Sequence, residues 1–333
     1  MTTTNDVPLR VENLEVHYHT RKGPVKAVDG VSFELQKGER LGLVGESGSG
    51  KSTIALSLMV AHKEPAKIEG GKIFLNGTDM LSLSDAEVRS KRLSEIAMVP
   101  QGALNSLNPV MRVRDQMIDG LKAHGVSKSK EEFADFISEL LRRVGLDGGV
   151  AEMYPHELSG GMKQRVTIAM SISMNPSVII ADEPTSALDV VVQRQIVQTL
   201  LEAQKQIGAA TILIGHDMGL MAQFATRMGI MYAGRLVEIG PTREIFNNPK
   251  HPYTQLLISS LPNTQGKRRL SGIPGITPSL LNPPPGCVFH TRCPKATERC
   301  KIELPNLITE ENEHSQACHL YTEPAKSEEE VTA

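Results

Sequence analysis

Apolar and polar residues alternate from Leu9 to His17 and from Val28 to Leu35, the period of half-buried strands. Leu41-Gly42-Leu43-Val44 is instead an unbroken apolar run, cut off by a glycine-rich stretch and followed by a helical segment from Ser52 to Val60. Lys72 to Leu75 predicts another strand, closed by the Asn76-Gly77 turn. From Ser84 to about Leu158 charged, helix-forming stretches dominate, Glu131 to Val144 among them, and predict an inserted helical subdomain over 84–158. Val178 to Ala181 predicts a buried strand, Val191 to Ile207 an amphipathic helix, and Thr211 to Gly215 a strand ending at His216. Gly229 to Tyr232 and Arg235 to Glu238 predict a hairpin around Ala233-Gly234. After Pro262 the chain is rich in Pro and Gly. Residues 323–333 are polar and acidic, which predicts a disordered end.

The chain has 333 residues, 40% of them hydrophobic, enough for one large domain and a small one. Its net charge is −2, with no basic excess, so nucleic acid is not expected as a partner. No apolar run approaches the roughly 18 residues of a membrane span, and Met1 to Asp6 is polar, unlike a signal segment. A cytoplasmic protein is expected, meeting a membrane only through a partner.

Gly45-Glu46-Ser47-Gly48-Ser49-Gly50-Lys51-Ser52 fits G-x-x-x-x-G-K-[ST], between a strand and a helix as that motif requires. Its glycines let backbone N–H groups wrap phosphates; Lys51 would neutralise the β- and γ-phosphates, and Ser52, followed by Thr53, would ligate Mg²⁺. Val178 to Ala181 runs into Asp182-Glu183, a strand ending in two carboxylates. Asp182 suits the cation, and Glu183, turned elsewhere by strand alternation, suits a general base. Leu158-Ser159-Gly160-Gly161-Met162-Lys163-Gln164-Arg165 reads as a helix entry whose small residues and Ser159 hydroxyl face an anion. It also reads as an ordinary Ser N-cap.

That run resembles the signature of ATP-binding-cassette (ABC) ATPases, and the other motifs follow in order from Leu9 to about Leu261. The resemblance implies an α/β phosphate-loop ATPase domain over 7–261 with the helical insertion. Ser159, Gly160 and Gly161 would act in trans, on ATP held by a second ATPase subunit. Ser186-Ala187-Leu188-Asp189 resembles the D-loop, which touches that subunit. Gln101 resembles the glutamine that reaches Mg²⁺ and the attacking water, and His216 the histidine that bonds the γ-phosphate. Tyr18 is a candidate for stacking on adenine. Met162 stands where Gln is commoner, and Gly215 where Thr is usual.

Asn105-Ser106-Leu107-Asn108-Pro109 and the stretch from Asn248 through His251-Pro252-Tyr253 to Leu257 resemble the oligopeptide/dipeptide/nickel importer branch. That branch implies a homologous second ATPase, two transmembrane permeases and an extracellular solute-binding protein, with this chain peripheral at the cytoplasmic face of the membrane. Di- or oligopeptides are the expected solute; oligosaccharide and nickel importers share the branch. A non-transport ABC ATPase would call for two cassettes or a coiled-coil insertion, neither of which is here. An iron–sulfur redox sensor with a borrowed ATPase is a third reading.

All four cysteines, Cys287, Cys293, Cys300 and Cys318, fall in the extension over 262–322. Five, six and seventeen residues separate them in turn, without a C-x₂-C pair. Four thiolates suit zinc or an iron–sulfur cluster. His290, His314 and His319 are possible substitutes at a zinc site. The extension resembles that of peptide-importer ATPases, some of which hold a 4Fe–4S cluster. With little core of its own, the segment is expected to depend on a metal for order.

Overall fold

The computed structural model describes residues 7–102, 106–186, 188–261, 272–310 and 312–321. Two sheets carry the fold. Strands β1 (Leu9–Thr20), β2 (Gly23–Leu35), β4 (Ala66–Leu75) and β5 (Thr78–Asp79) form an antiparallel sheet in the order β2-β1-β4-β5. A larger sheet is built on β3 (Arg40–Val44), β6 (Ile96–Val99), β7 (Val178–Asp182), β8 (Ala210–Gly215), β9 (Arg227–Tyr232) and β10 (Arg235–Pro241). The short strands β11 (Ile308–Thr309) and β12 (Ser315–Gln316) complete its order, β11-β12-β10-β9-β3-β8-β7-β6. Its central pairings are parallel and its β9–β10 and β11–β12 edge antiparallel.

The central strands read as continuous apolar runs because both of their faces are covered. Successive residues go to opposite cores. Val178 and Ile180 join the antiparallel sheet and helix α1 (Lys51–Leu58), while Ile179 and Ala181 face the helical side. Leu41 and Leu43 against Val44 divide in the same way. Both expected turns hold. Asn76 and Gly77, and Ala233 and Gly234, all have positive φ, the geometry that matches strand twist in a two-residue hairpin.

The segment expected to be helical over 84–158 is interrupted. After α2 (Asp85–Lys91) the chain enters β6, which pairs with β7 inside the large sheet. Ile-Ala-Met-Val is too short to display a period of its own. The helices of the insertion are α3 (Val113–Ala123) and α4 (Lys130–Arg143). Helix α4 has a capping box between Ser129 and Glu132, acids in its first turn and Arg142 and Arg143 in its last, and buries Phe133, Ile137, Leu140 and Leu141 on one face. Helix α5 (Gly160–Ile172) follows, beginning inside the stretch expected as a helix entry. Helix α6 (Val190–Ile207) is capped by Asp189 and closed by Gly208 at φ +67. Helix α7 (Met218–Phe224) leads into β9 and β10, and α8 (Thr242–Asn247) and α9 (Pro252–Ser259) follow.

The cysteine-bearing extension, with α10 (Glu298–Ile302), docks on this edge. Strand β12 pairs with β10, Glu238 opposite Gln316. Phe289 is fully buried between Tyr232 and Tyr253, with centroids 5.1 and 5.4 Å away. The buried Glu238 carboxylate accepts from the Lys250 and His251 amides at 2.7 and 2.9 Å and meets His314 Nε2 at 2.6 Å. The extension therefore shares the ATPase core. Its order rests on these contacts as well as on anything the thiols hold, which revises the expectation that a metal alone orders it. Residues 262–271 and the acidic end from 322 lie outside the described residues.

Candidate functional site

The phosphate loop leads from β3 into α1, and its shape needs glycine at two places. A Cβ on Gly45 would stand 2.1 Å from the Met231 carbonyl oxygen, and one on Gly50 2.1 Å from that of Ala27. Gly50 sits at φ +100 as the N-cap of α1 without a side-chain cap, so the first amides of the helix remain for an anion. The Lys51 ammonium donates to the carbonyls of Gly45 and Glu46, both at 2.9 Å, and lies 3.2 Å from Ser49 Oγ. Burial pulls its pKa down, against the pull of Glu183, Asp182 and Glu46. Gly48 has open space, and Ser47 is exposed.

Ser52 Oγ donates to Asp182 Oδ1 at 3.1 Å, joining the start of α1 to the end of β7. Burial raises the Asp182 pKa, reinforced by Glu183 and opposed by Ser52 and Lys51. Hydroxyl and carboxylate oxygens are the donors Mg²⁺ takes, so Ser52 and Asp182 fit that ion. Tyr18 is half-buried on β1, its hydroxyl 3.3 Å from Thr53 Oγ1.

Two residues from separate loops converge on Glu183. Gln101 Nε2 donates to Oε2 at 3.0 Å, and His216 Nδ1 lies 3.7 Å from Oε1. Glu183 is not turned by strand alternation: β7 ends at Asp182, and Glu183 sits at φ +42, held by its amide on the Ile214 carbonyl. A left-handed glutamate is a costly backbone that persists where its surroundings over-determine it. Asp217 caps α7 and fixes the loop that carries His216. Gly215 leaves room for Met221, whose Cε would be 2.6 Å from a Cβ there.

The signature stands apart from this cluster. Ser159 caps α5, its oxygen accepting from the Met162 amide at 3.3 Å, so both readings of the residue are compatible: the oxygen caps and the hydroxyl hydrogen stays free to donate. Gly160 and Gly161 begin the helix. An open groove of about 460 Å³ runs along Ser159, Gly160, Gly161, Leu188 and Asp189, and no phosphate-loop residue lines it. Ser186 turns back on Glu183 through a backbone hydrogen bond of 3.1 Å, and Asp189 Oδ1 accepts from the Val191 and Val192 amides. Ala187 lies outside the described residues, as does Asn105.

The cysteines meet in one region. The Cys287 amide bonds the Cys300 carbonyl at 2.8 Å, and all four thiols are free. Burial pushes Cys287 and Cys318 up to about 11, reinforced at Cys287 by the other three cysteines and at Cys318 by Cys293, Cys300 and Glu238. Cys293, half-buried, is raised by burial and by Cys300. The donors thus suit a thiolate-bound metal in kind and in neighbourhood. Among the described residues, however, no three Cys, His, Asp or Glu side chains stand in a ligating arrangement. The histidines are engaged elsewhere: His290 Nδ1 on the Cys287 carbonyl, His314 on Glu238 and His319 on the Glu303 carbonyl.

Comparison with known proteins gives matches in both sequence and fold. Residues 28–186 match the family described as ABC transporter, and residues 237–300 the oligopeptide/dipeptide transporter C-terminal region. The chain is 44% identical to a dipeptide transport ATP-binding protein, DppD, of Caldanaerobacter subterraneus, over 95% of this chain and 97% of that one. The chain belongs to the ABC transporter ATPase family. The Escherichia coli DppD is 42% identical over 93% of this chain and 96% of its own length. Among solved structures, the dimeric ATP-binding cassette MJ0796, in a post-hydrolysis state with ADP and Pi, superposes with a TM-score of 0.63 at 27% identity, covering 71% of this chain and 99% of that one. CbiO1 from Clostridium perfringens, part of the transporter complex cbiONQ, gives 0.61 at 26% identity, covering 73% and 92%.

As an ABC ATPase the chain hydrolyses ATP. In the fold the phosphate loop, Asp182 and Glu183 stand together, while the groove beside Ser159 stands apart and opens to solvent. Among the described residues no helix is long and apolar enough to cross a membrane.

Sequence reasoning missed two side chains. Tyr253, in the His251-Pro252-Tyr253 stretch, accepts from the Glu46 amide through its hydroxyl at 3.0 Å. Arg292, next to Cys293, grips the Glu46 carboxylate. Burial raises the Glu46 pKa, but hydrogen bonds from Arg292 and Thr277 bring it below the ordinary glutamate value. For Arg292 the sequence offers no signal beyond its place beside Cys293.

Proposed function

We propose that this chain is the ATP-hydrolysing subunit of a binding-protein-dependent importer of di- or oligopeptides, peripheral at the cytoplasmic face of the membrane. The observation that carries this reading is the similarity to dipeptide transport ATP-binding proteins along nearly the whole chain, extension included. The chain works as a unit of 7–261 with the extension 262–322, beside a homologous ATPase and beneath two permease subunits.

The loop from Gly45 to Thr53 and the Lys51 ammonium hold the β- and γ-phosphates, and the Tyr18 ring packs on adenine. Ser52, Asp182 and Gln101 would hold Mg²⁺, which would supply positive charge to the phosphates. As the water oxygen attacks the γ-phosphorus, Glu183 takes its proton, the bond to ADP breaks, and His216 hydrogen-bonds the transferred group. The shared contacts of Gln101 and His216 on Glu183 support these roles. Ser159, Gly160 and Gly161 complete the partner's ATP site, and Ser186 to Asp189 lie along the joint.

Removing the chain from its native cell tests the solute. Uptake of a radiolabelled dipeptide is expected to fall to background and to return with the wild-type chain but not with Lys51→Ala. Unchanged dipeptide uptake, with loss of oligosaccharide or nickel uptake instead, would overturn the peptide reading.

In the extension we read the four thiols as ligands of a 4Fe–4S cluster, with zinc as the alternative. The burial of Cys287, Cys300 and Cys318, the neighbourhood of the four and the lack of a disulfide among them support this. Protein purified without oxygen should carry roughly four iron atoms per chain with visible absorption, and Cys293→Ser should bleach it. Because Phe289, β12 and Glu238 hold the extension independently, the bleached variant should keep its extension docked and protease-resistant. Zinc in place of iron would select the alternative, and a metal-free, colourless protein would refute the site.

A further inference from the structure

The extension reaches the nucleotide site through one side chain. Arg292 is almost fully buried and meets Glu46 in a two-pronged pair, Nη1 to Oε2 at 2.8 Å and Nη2 to Oε1 at 3.0 Å. The rest of the guanidinium is fixed too. Its Nε donates to the Pro274 carbonyl at 2.8 Å, and Nη1 also reaches the Tyr232 hydroxyl at 3.2 Å. From the same loop, Thr277 Oγ1 donates to Glu46 Oε2 at 2.6 Å. Glu46 is the second residue of the phosphate loop, and its backbone is held at both ends: the amide donates to the Tyr253 hydroxyl, and the carbonyl accepts from Lys51. A continuous set of hydrogen bonds thus runs from Pro274 and Thr277 through Arg292 and Glu46 to the Lys51 ammonium.

Nothing in the phosphate-binding motif calls for a carboxylate at this position, which is one of its four free places. A glutamate beside a polyphosphate repels it unless its charge is neutralised. Arg292 supplies that neutralisation, and its planar fork fixes the carboxylate's direction as a lysine could not. The loop keeps an acidic residue, and the arginine that makes this tolerable comes from 246 residues away along the chain.

We propose that Arg292, together with Tyr253, is a positioning residue for the phosphate loop: from the cysteine-bearing extension it holds Glu46, and with it the loop backbone and Lys51, in the shape that binds MgATP. The docked extension therefore sets how tightly this chain binds nucleotide. The inference rests on the phosphate loop as the ATP site of this ATPase and not on the solute or on any metal.

The test compares full-length chains, wild type and Arg292→Met, Glu46→Gln, the double variant, and Tyr253→Phe. Binding of a fluorescent ATP analogue with Mg²⁺ is measured for each, and KM and kcat in the assembled complex. Arg292→Met leaves the Glu46 charge bare and should weaken binding roughly tenfold, with a matching rise in KM and little change in kcat. In the double variant the bare charge is gone, so binding should recover most of that loss rather than compound it. Arg292→Lys should rescue only in part. Tyr253→Phe keeps the aromatic packing and removes one acceptor, so it should weaken binding by a few-fold without loss of folded protein. Should Arg292→Met fail to fold, Tyr253→Phe and Glu46→Gln decide the matter from the other side. The proposal is overturned by binding that stays within twofold of wild type in both Arg292→Met and Tyr253→Phe, by losses that multiply in the double variant, or by a fall in kcat at unchanged KM.

Discussion

Glu183→Gln should slow ATP hydrolysis at the site built on Lys51 by roughly 10²-fold or more, while ATP still binds. The substitution keeps the size of the side chain and its ability to meet Gln101 and His216, which stand 3.0 and 3.7 Å from the carboxylate. It removes only the capacity to take a proton. The nearby Lys51, Ser52 and Asp182 keep their contacts, so nucleotide affinity should hold. With chemistry blocked and binding intact, the ATP-bound assembly should accumulate. Single-turnover hydrolysis with radiolabelled ATP measures the step, and size-exclusion chromatography in ATP measures the assembly. Wild-type turnover at this site in the variant complex would remove Glu183 from the role of base.

Gly160→Asp should impair the partner's ATP site and leave this chain's own nucleotide binding untouched. Gly160 opens α5 beside the open groove of the signature, away from the phosphate loop. An acidic residue in a first helical turn is favourable to the helix, so a loss of activity would not come from unfolding. In trans, the new carboxylate would face the γ-phosphate, and like charges in a closed, low-dielectric joint repel strongly. Hydrolysis by the assembled pair should fall by roughly 10-fold to 10²-fold, whereas the isolated variant should bind MgATP with wild-type affinity. Loss of binding in the isolated variant would mean that the signature acts within its own chain.

Much of this site was legible because its chemistry demands small residues and charges at fixed spacing. Gly45, Gly50 and Lys51 can be read locally, since backbone approach and helix entry are local events. Strand β7 and Asp182 were legible for the same reason, an apolar run that ends in a carboxylate. What depended on contacts distant in sequence was not. Strand β6 is four residues inside a charged stretch, and only pairing with β7 makes it a strand. The direction of Glu183 comes from a left-handed backbone held by Ile214, not from strand alternation. The docking of the extension could not be read either, because Phe289 finds its neighbours Tyr232 and Tyr253 only in the folded chain. Tyr253 illustrates the limit. Its stretch marked the family branch by resemblance, but only the fold shows its hydroxyl on the phosphate loop.

The most direct test is transport itself. The chain, its partner ATPase and the two permease subunits are rebuilt in lipid vesicles with the ATPases facing outward and the solute-binding protein and a radiolabelled dipeptide inside. Export of the dipeptide from the vesicle interior, the orientation equivalent of import, should require external MgATP, be stimulated by the loaded binding protein, and stop with Glu183→Gln in this chain. ATP hydrolysis that proceeds with no dipeptide movement, or dipeptide movement that survives Glu183→Gln unchanged, would contradict the account.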